Sequence, residues 1–342
     1  MKKKALQATL CAVALVAAVA LGGTLIRRGR EFARMTPDET GMSAAQAAPV
    51  VMPTQTPKTT AAEETTTEET TAAATVLTET TAGGRGTYTD LFPLPVVHFT
   101  APDPDNSRGL STARIDHSFG VAKNGLPHDI SVQAQKKFRD GGHKAIVYDP
   151  DATEKALYLT FDCGFENGNT ETILNVLKEK NVPAAFFCTL FHIRQQPELI
   201  ARMIREGHIV GNHSDTHPAF CSISRTQMAR ELEAVENALR SDFGYSSSYF
   251  RYPEGAYSES ALDLVESLGF TPVFWSLAYA DWDTTDTKGA QYAFDTVTAR
   301  LHPGAVMLLH AVSPDNAAAM ADIIDYARSE GYVFRSLEDY GK

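Results

Sequence analysis

The sequence predicts an α/β protein: a distorted (β/α) barrel of about seven parallel strands, preceded by an apolar N-terminal segment and a disordered Thr/Glu-rich stalk. Three observations carry that reading. Short apolar runs alternate with amphipathic stretches of helical spacing from residue 156 to residue 335. Polar and titratable residues stand where those runs end, and a parallel barrel gathers such positions on one rim. No Gly-rich phosphate-binding turn follows the first run, which weighs against an open dinucleotide-binding sheet.

The chain has 342 residues, 43% of them apolar, enough for one large or two medium domains. Its first 30 residues carry Lys2, Lys3, Lys4, Arg27, Arg28 and Arg30 and no acid. Between these flanks, residues 5–26 carry no charge, a run long enough to cross a bilayer at roughly 20 residues per crossing. Residues 1–30 therefore read as a signal peptide or a signal anchor. The triplet Ala18-Val19-Ala20 suits cleavage, whereas the apolar run continuing to Ile26 favours a retained anchor. Either puts the rest of the chain outside the cytoplasm, membrane-anchored or secreted.

Residues 31–85 are expected to be a disordered linker. Between residues 54 and 81, 13 of 28 residues are Thr, interleaved with Glu63, Glu64, Glu68, Glu69 and Glu79. Such a stretch buries too little apolar surface to offset chain entropy, and its like charges extend it. A spacer of this kind suits a target some distance from the membrane, such as a wall polymer. The whole chain carries −11 net charge, and because the six basic residues of the first 30 are uncompensated the rest is more acidic still, with no electrostatic footprint for nucleic acid. Of the four cysteines, Cys11 lies in the apolar run; Cys163, Cys188 and Cys221 are an odd set without a CxxC spacing, not a disulfide framework.

Residues 86–155 are Pro- and Asp-rich with weak periodicity and read as an irregular extension of the domain formed by residues 156–342. Strands are expected at 157–161, 184–188, 209–211, 249–250, 272–275, 306–309 and 332–334. Helices are expected at 170–180, 198–206, 224–243, 258–268 and 316–330. Asn169 and Ser224 are candidate N-caps, and Gly207, Gly269 and Gly331 stand just past helix ends.

The residues at strand ends are chemically pointed. Asp162-Cys163 follows the first strand, Asn212-His213 the third and Arg251 the fourth; Asp281-Trp282 follows the fifth, and His310 ends the sixth. His213 and His217 form an HxxxH pair able to place two imidazoles on one cation, although a lone pair of this kind is often only surface. Asp162 is either a turn residue or a carboxylate beside a metal that takes a proton from water. Arg251 is either a surface cation or a guanidinium pinning a carboxylate. His310 is either a hydrogen-bonded core histidine or a general acid.

Together these residues resemble the polysaccharide deacetylase family (NodB-homology, carbohydrate esterase four). The segment 159–164, Leu-Thr-Phe-Asp-Cys-Gly, resembles its first motif, and His213 to His217 the second. Arg251-Tyr252-Pro253-Glu254-Gly255 is similar to the third, Asp281-Trp282 to the fourth and Leu308-Leu309-His310 to the fifth. A narrower likeness, at residues 165–170, 273–276, 302–305 and from His117 onward, is to the branch that deacetylates N-acetylmuramic acid in spore-forming bacteria before muramic δ-lactam formation.

The resemblance implies a metal-dependent hydrolase acting on peptidoglycan glycan strands. Asp162 would be the base, His310 the acid, and His213 and His217 the ligands of a divalent metal, zinc first among the candidates. Arg251 would hold Asp162 and Asp281 would orient His310. Trp282 and Leu308 would wall the acetyl pocket, with Tyr252 and Glu254 also at the substrate. Two departures stand out. Cys163 occupies the place of a second Asp that usually completes the metal triad, so a thiolate ligand is possible there. Glu254 replaces a basic or aromatic residue. Two other classes compete: a non-catalytic glycan-binding protein with a degenerate metal site, and a glycosidase using Asp162 and Glu254. The glycosidase leaves the HxxxH pair and His310 without roles.

Overall fold

The computed structural model describes residues 93–342 and, before them, the two-residue strand Met42–Ser43. The expectations for residues 1–30 and, that strand apart, for the linker 31–85 lie outside the described residues. Among the described residues no helix is long and apolar enough to cross a membrane.

Seven strands build one curled parallel sheet: β1 (Ala156–Cys163), β2 (Ala184–Cys188), β3 (Ile209–Asn212), β4 (Tyr249–Phe250), β5 (Thr271–Pro272), β6 (Ala305–His310) and β7 (Val333–Phe334). The order is β6-β1-β2-β3-β4-β5, with β7 paired to the start of β1. Beyond β5 the chain reaches the far edge of β6, where Ser276 N–H donates to Val306 O at 3.0 Å and Leu308 N–H to Leu277 O at 2.8 Å. These bonds draw the two edges together into an incompletely closed barrel.

Helices with buried apolar stripes follow most of these strands. Helix α2 (Thr170–Lys180) and α5 (Arg225–Phe243) bury Ile173, Leu174 and Leu177, and Leu232, Val235 and Leu239, at helical spacing. Ser224 caps α5 by accepting from Gln227 N–H. Asn169 occupies the cap position of α2 without capping it; Glu166 Oε1 accepts from the N–H groups of Asn169 and Thr170 instead. Helices α4 (Pro197–Arg205), α6 (Glu259–Ser267) and α8 (Pro314–Ser329) fall where expected. Three more were not legible: α1 (Asp129–Asp140), α3 (Leu190–Gln195) and α7 (Ala290–Thr298).

Residues 93–155 are thus less irregular than their composition suggests. Helix α1 projects the buried Gln135, whose side chain donates to Ala145 O and accepts from Val147 N–H and Tyr148 N–H. This clasp holds residues 145–149 in the seam between β5 and β6. There Ile146 N–H donates to Pro272 O, Phe274 N–H to Ile146 O, and Asp149 N–H to Gly304 O at 2.8 Å. The extension is part of the barrel wall.

Gly304 makes that approach possible. It has φ +76°, and a Cβ there would stand 2.0 Å from Asp149 O. Gly304→Ala is expected to destabilise the fold by about 2–3 kcal/mol through strain and the displaced seam. Urea denaturation of the variant checks this, and an unchanged midpoint would show that the seam carries no stability.

Candidate active site

Parallel register places the titratable residues side by side. Asp162 of β1 is the direct partner of His310 of β6, and Cys188 of β2 pairs with Asn212 of β3, next to His213. Side chains alternate across a strand, so Thr160 and Asp162 share the inner face of β1 while Leu159, Phe161 and Cys163 join the core between sheet and helices.

Arg251, immediately after β4, reaches across the inside of the barrel. It is fully buried. Its Nη1 donates to Asp162 Oδ1 at 2.7 Å and its Nη2 to Thr160 Oγ1 at 2.9 Å. Its remaining donors meet Val273 O and Phe274 O, and its plane lies over the Phe187 ring at 4.2 Å. Gly211 makes room for that ring, since a Cβ at Gly211 would stand 2.5 Å from Phe187 Cδ1. Burial pulls the Asp162 pKa upward, but the charges of Arg251, His213 and His310 and the Arg251 hydrogen bond outweigh it, and Asp162 lies below the usual carboxylate range.

His213 Nδ1 donates to the carbonyl of Arg251 at 2.9 Å. That bond sets the tautomer and leaves the Nε2 lone pair 3.7 Å from Asp162 Oδ2. The His217 ring stands 4.9 Å away, nearly perpendicular. The loop between them turns through left-handed backbone at Ser214 (φ 70°) and His217 (φ 58°), and the buried Glu231 braces it by accepting from Thr216 N–H and Oγ1–H. Burial lowers the pKa of both rings, His217 to about 3 with help from neighbouring His213, so both are neutral and can offer lone pairs. With a carboxylate beside them, this donor set fits a divalent cation of intermediate softness.

His310 is held from two sides. Asp281 Oδ1 accepts from its Nδ1 at 2.7 Å, and Asp281 Oδ2 accepts from its backbone N–H at 2.8 Å. Burial disfavours the imidazolium, but the charge and hydrogen bond of Asp281, with the charge of Asp162, overcome it and raise the His310 pKa. The Trp282 ring lies edge-on to His310 at 5.8 Å, half-buried, and Leu308 is buried on β6.

Asp162, His213, His217, Arg251, Asp281, His310 and Trp282 thus come together on one rim. Three expected residues do not join them in the way anticipated. The Tyr252 ring is buried against Phe274, Phe250 and Phe220 and packs with the core. Glu254 is engaged by Arg114, whose Nη2 donates to it at 2.9 Å, which offsets the added negative charge. Cys163 faces away from the histidine pair because strand alternation turns it to the helix side. Two supporting residues were missed. Thr160 is a lone hydroxyl inside an apolar strand, two residues before Asp162, and that spacing was its signal. Asn316 donates to Asp281 Oδ2 and to His310 O from the buried face of α8, a polar residue where the helical stripe should be apolar.

Comparison with known proteins agrees with this geometry. A family model described as polysaccharide deacetylase matches residues 149–273. An uncharacterized 30.6 kDa protein of Geobacillus stearothermophilus is 45% identical over 234 residues, 68% of this chain and 87% of that protein. The chain belongs to the polysaccharide deacetylase family. As such it is a hydrolase acting on carbon–nitrogen bonds. Peptidoglycan-N-acetylmuramic acid deacetylase PdaA of Bacillus subtilis is 44% identical over 187 residues, 54% of this chain and 71% of that one. The solved structure of Bacillus subtilis PdaA, a family 4 carbohydrate esterase, superposes with a TM-score of 0.65, covering 68% of this chain and 98% of the other at 38% identity. This deacetylase fold is therefore shared over nearly the whole of that structure.

Removing the guanidinium should expose how much depends on it. Arg251→Met leaves Asp162 buried and unpaired and is expected to cost about 3–5 kcal/mol at neutral pH. Arg251→Lys should recover little, because an ammonium cannot make the same forked bonds. Since Asp162's lowered pKa stabilises the fold only above its unfolded value, the wild-type advantage should shrink as pH falls below ~4. Denaturation midpoints across pH measure this; a Lys variant as stable as wild type would refute it.

Proposed function

We propose that this deacetylase removes N-acetyl groups from peptidoglycan glycan strands, at N-acetylmuramic acid residues, with a divalent metal, zinc, held by His213 and His217. The observation that carries the reaction is the opposed tuning of Asp162 and His310 on adjacent strand ends. Arg251 favours the ionised form of one and Asp281 the protonated form of the other. Paired groups pushed apart in this way are a base and an acid. The muramic preference is supported by the identity to PdaA.

A divalent ion at the histidine pair would polarise the acetamide carbonyl and make water there more acidic. Asp162 takes a proton from the attacking water through Oδ2, the oxygen that Arg251 leaves unbonded. As the C–N bond breaks, His310 delivers its Nε2 proton to the departing amine; Asp281 anchors the opposite ring nitrogen and stabilises the positive charge. Acetate and a glycan with a free amine are the products. Trp282 and Leu308 supply apolar walls for the acetyl methyl group.

Full-length protein incubated with N-acetylated peptidoglycan fragments should release acetate without shortening the glycan chains. Asp162→Asn and His310→Ala should each lower kcat/KM by orders of magnitude with the fold intact. Mass analysis of the fragments decides; shortened chains lacking free amines would instead establish a glycosidase.

Asp281→Asn tests the acid separately. Asp281 raises the His310 pKa, so its neutral replacement lowers that pKa and the acid loses its proton at lower pH. The alkaline limb of the kcat/KM profile should move toward lower pH, and a limb that stays in place would remove His310 from the acid role.

A further inference from the structure

The end of β1 has two sides, and only the inner one serves the reaction. On the outer side Cys163 lies in register with Cys188, the last residue of β2, whose Sγ–H donates to Phe186 O at 3.7 Å. Thr189 then caps α3 by accepting from His192 N–H, and that first turn brings His192 to the same point. The sulfurs of Cys163 and Cys188 and an imidazole nitrogen of His192 lie within 4.8 Å of one another. All three residues are buried, His192 completely.

His192 is the observation that points to a ligand. Neither of its ring nitrogens has a hydrogen-bond partner among the described residues. A buried imidazole has one N–H and one lone pair, and leaving both unmet is costly, which is why such atoms are rare in folded proteins. Two thiols and an imidazole converging on one point are the donor set of a thiophilic d10 cation.

We propose that Cys163, Cys188 and His192 form a second, structural metal site that takes Zn2+, distinct from the histidine pair on the rim. Charge selects the ion. Two thiolates and a neutral imidazole exactly balance a dication, and a neutral cluster is what an apolar interior tolerates, whereas Cu+ would leave a net negative charge. Binding releases both thiol protons to solvent, so the affinity should fall with acid. The ion would tie together β1, β2 and α3 directly beneath the strand end that carries Asp162.

Cobalt distinguishes this site from the rim without reference to activity. Full-length protein, purified under reducing conditions and stripped of metal, is titrated with Co2+. The expected result is a near-ultraviolet thiolate-to-cobalt charge-transfer band that persists in the His213→Ala/His217→Ala double variant and is lost in Cys188→Ser. Zn2+ should bleach the band, and about one zinc per chain should remain in the double variant by elemental analysis. Absence of the band from both the wild type and the double variant overturns the proposal, whether or not Cys188→Ser folds. So does a mass two hydrogens lower in the peptides holding Cys163 and Cys188, the mark of a disulfide. Stoichiometric retention of copper in place of zinc overturns the choice of ion.

Discussion

The buried guanidinium of Arg251 is the constraint on which the rest of the site depends. An uncompensated cation in a barrel interior would be ruinous, so every part of its fork must be met. It is met by Asp162 and Thr160 of β1 and by the carbonyls of Val273 and Phe274 beyond β5, with Phe187 beneath its plane. One side chain therefore joins strands from different parts of the curled sheet. Its own carbonyl also accepts from His213. The same residue therefore makes the first contribution to keeping Asp162 ionised and also orients His213, so neither can be adjusted without disturbing the other.

Much of this was legible because it rests on period and position. The strands were visible as apolar runs, and their ends named Asp162, Arg251 and His310 without knowledge of any contact. Helices with a clear apolar stripe and a serine cap were equally visible. Helix α1 was hidden because its buried residues are Ser131, Gln135 and Phe138, a mostly polar set that breaks the hydrophobic pattern. Helix α3 has only six residues, too few to show a period. The cap of α2 was misassigned because Glu166, three residues upstream, reaches the free N–H groups before Asn169 does. The burial of the Tyr252 ring was not legible for a different reason: adjacency to Arg251 in sequence says nothing about which way a ring turns when the chain leaves a strand.

The departure at Glu254 also has its answer outside the motif that contains it. Arg114 immediately precedes the strand Ile115–Asp116, which pairs antiparallel with Ala256–Tyr257. Its guanidinium joins Glu254 to Asp116 at the same time. A half-exposed cation between two carboxylates leaves the charge at this edge of the rim set by three residues rather than one, and only one of them belongs to the recognised motif.

The seam formed by residues 145–149 has a consequence for how the chain reaches this state. Asp149 meets Gly304 through its backbone, and its carboxylate accepts from Tyr158 O–H and from Gly341 N–H. A segment made early is thus matched to partners made last, across almost the full length of the domain. Loops of that size close slowly, because the entropy of bringing distant residues together is lost before any contact rewards it. The barrel must stand open along one side during synthesis, and its final act of folding is to be stitched shut.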